Sequence, residues 1–99
     1  MKIPDKIKVA GHKYHVIWDD KRLEKQGLVG QTNIDFKEII LCKHYKSKRA
    51  RAKSEIEETF LHEIIHAVDR HYNGWSLSEK AVDRLSNGLY QVLKDNFKL

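Results

Sequence analysis

The spacing of apolar residues changes character midway along the chain. In the first part it follows the two-residue period of strands, and in the second the period of helices. Lys6-Ile7-Lys8-Val9 alternates polar and apolar, and Ala10-Gly11 offers a turn. His12 to Trp18 then puts Tyr14, Val16 and Trp18 on one face, which predicts a hairpin. Asp19 or Asp20 caps a short helix through Gln26, stopped by Gly27. Leu28 to Ile34 reads as a third strand, weakened by Gly30, and Asp35 to Glu38 as a turn. Ile39-Ile40-Leu41-Cys42 is a short apolar run bounded by charge and reads as a fourth strand.

Ser54 opens the long helical stretch, with Glu57 three positions on as a capping box. The helix is expected to run to Tyr72, where Asn73-Gly74 stops it. Ser76 opens a second helix that continues to Asn96. Strands first and helices last imply an α+β fold. The expectation is a small, mostly antiparallel sheet of three to four strands, packed with the long helix and a following C-terminal helix. The whole chain, residues 1–99, is read as one domain.

Composition narrows the classes. The chain is 40% hydrophobic and 33% charged, which suits a folded water-facing domain rather than a disordered one. No apolar run approaches the roughly 20 residues that span a bilayer. The start, Met1 to Asp5, has no signal-peptide core, so the expected location is cytoplasmic. One cysteine, Cys42, rules out an internal disulfide and a cysteine-built zinc site. Any metal must then be held by histidine and carboxylate. The net charge of +5 is concentrated in Lys43, Lys46, Lys48, Arg49, Arg51 and Lys53, with no acid among them. That run is either a solvated loop or a contact for nucleic acid.

The candidate chemistry lies at His62-Glu63-Ile64-Ile65-His66. Residues four apart on a helix stand one above the other, so both imidazoles can aim at a single ion. Ala67, Phe60, Ile64, Val68, Leu61, Tyr72 and Ile65 form a wide apolar face, and the two histidines fall on the opposite side, where a cleft can form. Glu63 is the candidate general base. A catalytic zinc needs a third protein ligand. Glu79 and Asp83 sit at the margin of the second helix's apolar stripe, facing the first helix. Glu79 either completes a His-His-Glu set or serves as the closing glutamate of the box Ser76-Leu77-Ser78-Glu79. Asp83 can orient a ligand histidine through its second ring nitrogen. Asp69 is the rival third ligand, cramped on the same helix as the histidines and otherwise expected at the surface or in support. His71 falls on the apolar side as a satisfied core or edge histidine, and His12, His15 and His44 have no spacing partner.

Residues 54 to 85 resemble the zincin metallopeptidases of the gluzincin branch, through HExxH at 62–66 followed by ExxxD at 79–83. Thr59 to Ala67 is similar to small phage-encoded metallopeptidases and the ImmA-IrrE-like group. The resemblance implies a minimal zincin holding one Zn2+ by His62, His66 and Glu79, with Glu63 as catalytic base. It implies a peptidase whose peptide or protein substrate pairs with an edge strand, which by position is Ile39, Ile40 and Leu41. The oxyanion stabiliser is left open among Tyr45, Tyr72 and Tyr90. The alternative function is a basic nucleic-acid-associated binding protein on the same scaffold, through Lys43–Lys53.

Overall fold

A computed structural model describes residues 1–97. Strands β1 (Lys6–Val9) and β2 (His12–Trp18) form the expected antiparallel hairpin, turned by Ala10 and Gly11 at positive φ. Helix α1 (Asp20–Gln26) starts where Asp19 accepts a hydrogen bond from the Arg22 N–H, 3.0 Å. It ends at Gly27, whose left-handed backbone a residue without Cβ adopts freely. Strands β3 (Gly30–Asn33) and β4 (Glu38–Leu41) follow, then helices α2 (Lys53–Tyr72) and α3 (Glu79–Phe97). The fold is α+β.

The sheet order is β1-β2-β4-β3. Its outer pairs are antiparallel, but β2 and β4 run parallel, with Val16 opposite Ile39. The sheet is therefore mixed, with one parallel pairing among antiparallel ones. A parallel neighbour needs a crossover, which α1 and β3 supply. This arrangement corrects one expectation: Ile39, Ile40 and Leu41 are not an edge. They lie between β2 and β3 with no exposed surface, so no peptide can add beside them. The edge on this side is β3.

Both faces of β4 are covered, which explains its uninterrupted apolar run. On one face Ile39 and Leu41 join Val9, Tyr14 and Val16 against Phe60 and Ala67 of α2. On the other, Ile40 and Cys42 pack on Leu23 of α1. Each such aliphatic side chain contributes roughly 1.5–3 kcal/mol through burial. Helix α3 lies outside these layers and packs chiefly on α2.

The start of α2 differs from the expected box at Ser54. Its cap is Ala52, whose backbone N–H donates to Glu55 at 3.0 Å. Glu57 instead turns inward and accepts the Tyr90 hydroxyl at 2.6 Å, tying α2 to α3. No helix among the described residues is long and apolar enough to cross a membrane.

Candidate metal centre

On α2 the one-turn spacing brings His62 Nε2 and His66 Nε2 to 3.2 Å from each other. Glu79, at the first position of α3, reaches over both: Oε1 lies 2.8 Å from His62 Nε2 and Oε2 lies 3.0 Å from His66 Nε2. One carboxylate thus bridges two imidazoles on the neighbouring helix. Two ligand atoms at zinc–nitrogen distance and tetrahedral angle are about 3.3 Å apart. The three donors already sit near that spacing, and their chemistry, two imidazoles and a carboxylate, suits zinc. These residues form the one group of histidine, cysteine and acidic side chains able to hold a metal ion among the described residues.

Glu79 is not engaged as a cap. Helix α3 is capped by Ser78, whose hydroxyl accepts the Ala81 N–H at 3.1 Å. Ser76 is held otherwise, with its N–H on Asp69 and its hydroxyl on the Asn73 carbonyl. Asp69 is neither a ligand nor at the surface. It is 4% exposed and accepts from Asn73 Nδ2, Ser76 N and Leu77 N. It braces the turn that delivers Glu79 to the histidines. Asp83, one turn further along α3, has Oδ1 3.7 Å from His62 Nδ1, beside the nitrogen that does not face Glu79.

Glu63 stands off the apolar face of α2, yet it is 5% exposed because β3 lies against it. The Thr32 hydroxyl is 2.8 Å from Glu63 Oε1 and 2.9 Å from the Glu63 carbonyl oxygen, donating to one at a time. A Cβ at Gly30 would stand 2.9 Å from Glu63 Oε2 and 2.5 Å from Thr59 Cγ2. Gly30 is there so that the strand backbone can approach the glutamate. Burial pushes the Glu63 carboxyl up from its usual range, opposed by the Thr32 hydrogen bond and by His62 and His66. The cleft over this group has a volume of about 410 Å3, with Leu28, Val29, Gly30, Thr59, Glu63 and Asp83 among its walls.

Thr32 and Gly30 could not be picked out from spacing, because their role depends on β3 crossing α2. None of the three candidate tyrosines lines the cleft. The Tyr45 hydroxyl donates to Glu55, that of Tyr90 to Glu57, and Tyr72 is 71% exposed.

The basic run is partly structural. Arg51 is buried; its guanidinium donates to the Val29 and Cys42 carbonyls at 3.2 and 3.1 Å and to Thr59 Oγ1 at 2.6 Å. It ties the entry of β3 to the exit of β4 and the first turns of α2. Lys48 pairs with Glu24, and Lys43 lies over the Trp18 ring. Cys42 is a free, buried thiol.

No family model matches the chain, and no curated protein or solved structure matches it either.

Proposed function

We propose that the protein is a zinc-dependent metallopeptidase of the cell interior, with His62, His66 and Glu79 as ligands and Glu63 as general base. One observation carries this reading. Two helical histidines and a carboxylate from the next helix converge at about ligand spacing, beside a buried glutamate fixed by its own hydrogen bond. A structural ion pair would have no use for that glutamate, and its burial would only cost stability.

Zinc bound there supplies a water of lowered pKa and polarises the scissile carbonyl. The rest falls to the chain itself. Glu63 accepts a proton from the attacking water and returns it to the leaving amine. Its raised proton affinity suits that second task. Thr32 holds the carboxylate in one orientation and Gly30 lets it stay dry. Asp83 Oδ1, 3.7 Å from His62 Nδ1, stands on the side of that ring away from Glu79, where its charge favours the Nδ1–H tautomer that leaves Nε2 free for the metal. Strand β3 is paired on one side only and runs along the cleft wall, so an extended peptide can add to it through backbone hydrogen bonds.

The test is the metal content of the purified protein together with cleavage of unfolded protein substrates. Stoichiometric zinc is expected, and Glu63→Gln should retain it while cleavage falls by about 10²–10⁴. Absence of zinc from the wild type, or undiminished cleavage by Glu63→Gln, would end the proposal.

A further inference from the structure

Helix α3 is the least embedded long element. Across Glu79–Phe97 it buries only Val82 and Ser86. Leu85, Leu89 and Val92 follow one another at helical spacing and remain 51%, 42% and 43% exposed. With Ile65 and Val68 of α2 they line a groove of about 700 Å3. Such a stripe is an interaction surface in search of an occupant.

Three features of α3 select the occupant. Gly88 lies at one edge of the stripe and Leu89 toward the other, and a Cβ at Gly88 would meet nothing within 4 Å, so the helix backbone is bare there. A two-fold axis between Gly88 and Leu89 sets Leu89 against the Leu89 of a second copy on one edge and leaves the two glycines facing on the other, where the backbones can approach closely. The same axis sets Leu85 against Val92, knob against neighbouring knob. The charges obey the same symmetry. Arg84 and Asp95 flank the stripe along one edge, about three helical turns apart. In an antiparallel pair, edges of the same kind meet, so Arg84 faces the partner's Asp95, twice over. The axial offset within each pair is about 3 Å, inside the reach of an arginine. Gln91, whose amide now donates to Asp95 at 3.0 Å, stays beside the pair. A surface shaped for an unrelated protein has no reason to be complementary to itself about one point.

We infer that α3 pairs antiparallel with α3 of a second copy of this chain, forming a two-fold dimer through the groove between α2 and α3. Glu79 and Asp83 lie at one end of α3, outside the paired stripe, so both clefts stay open. The dimer stands or falls independently of the metal and of any cleavage.

Sedimentation velocity over a dilution series of the full chain tests it. The wild type should be dimeric near 100 μM and dissociate on dilution. Leu89→Arg, at an exposed position, should be monomeric throughout with an unchanged helical circular dichroism spectrum. Arg84→Asp and Asp95→Arg should each weaken association by about tenfold, and combining them should restore it, because the pairs are re-formed with reversed sign. A wild type that stays monomeric near 100 μM overturns the inference, whatever else it captures. So does a folded double variant that fails to recover, even if Leu89→Arg should prove unfolded.

Discussion

Two pairs of histidines in this protein have the same separation and different arrangements. The rings of His62 and His66 have centroids 4.8 Å apart, and so do those of His12 and His71. The first pair meets edge to face, at 68°, with both Nε2 atoms converging on Glu79. The second is stacked, at 22°, and His71 Nε2 is taken by the Tyr14 hydroxyl at 2.6 Å. Stacked rings direct their nitrogens side by side into the surroundings, so no single ion can reach both. Proximity therefore does not make a ligand pair. What matters is whether the lone pairs share a focus and whether an acid is stationed there. The helix provides the focus for His62 and His66 through its four-residue spacing, whereas His12 and His71 come from distant segments and meet through packing.

This contrast can be broken by experiment. The largest effect is expected from removing each pair in turn. A His62→Ala, His66→Ala double variant should lose stoichiometric zinc in a chelator-competition assay, while His12→Ala, His71→Ala should retain it. Equal loss from both would erase the distinction. Asp83→Asn should sharpen it, lowering zinc affinity by about 10–100-fold through loss of an orienting partner, with the helices intact. Unchanged affinity would remove Asp83 from the site. Gly30→Ala should reveal how tightly the buried base is held. The added methyl must displace Glu63 or Thr59, so stability should fall by about 1–3 kcal/mol in a denaturant titration, and cleavage should fall with it.

The smallest effect concerns the stacked pair and pH. Burial lowers the pKa of His71, helped by the neighbouring His12 ring and the cations Lys37 and Arg70. The folded state thus prefers the neutral ring, and the unfolded chain binds the proton more readily. Stability from this group is complete above the unfolded value of about 6.5 and declines as pH falls from there towards the lowered folded value. Melting temperatures measured down the pH scale should show that decline in the wild type. His71→Gln, which keeps an acceptor for Tyr14, should flatten it. An identical profile in the variant would refute the assignment.

What could be read in the sequence was local, and what was misread was long-range. The hairpin, α1 with its aspartate cap and Gly27 stop, and the two long helices follow from periodicity and turn chemistry within a few neighbouring residues. The convergence of His62, His66 and Glu79 belongs to the same kind, since one helix period and one short turn specify it. The parallel pairing of β2 with β4 does not, and it turned the supposed edge Ile39–Leu41 into an interior strand. The same holds for side chains whose partners lie elsewhere in the chain. Gly30 looked like a weakness in a strand and is a clearance for Glu63. Arg51 looked like one more surface cation and is a buried tie between strands and helix. Glu57 looked like a cap, but Tyr90 on α3 draws it inward, and Ala52 with Glu55 starts the helix instead. Asp69 offered ligand chemistry but is spent on the backbone of the turn.

The turn braced by Asp69 also bears on the order in which the site can be assembled as the chain folds. The histidines and Glu79 belong to one helical hairpin, joined by a short connection, so their meeting closes only a small loop and is kinetically cheap. Glu63 becomes buried only when β3, far earlier in the chain, docks across α2. The cluster of His62, His66 and Glu79 can therefore form from a nascent hairpin, while the burial of Glu63 waits for the sheet. If the proposed metallopeptidase reading holds, metal captured early would favour the hairpin, and hydrolytic competence would arrive last, once the chain around it has folded and is no longer available as a substrate.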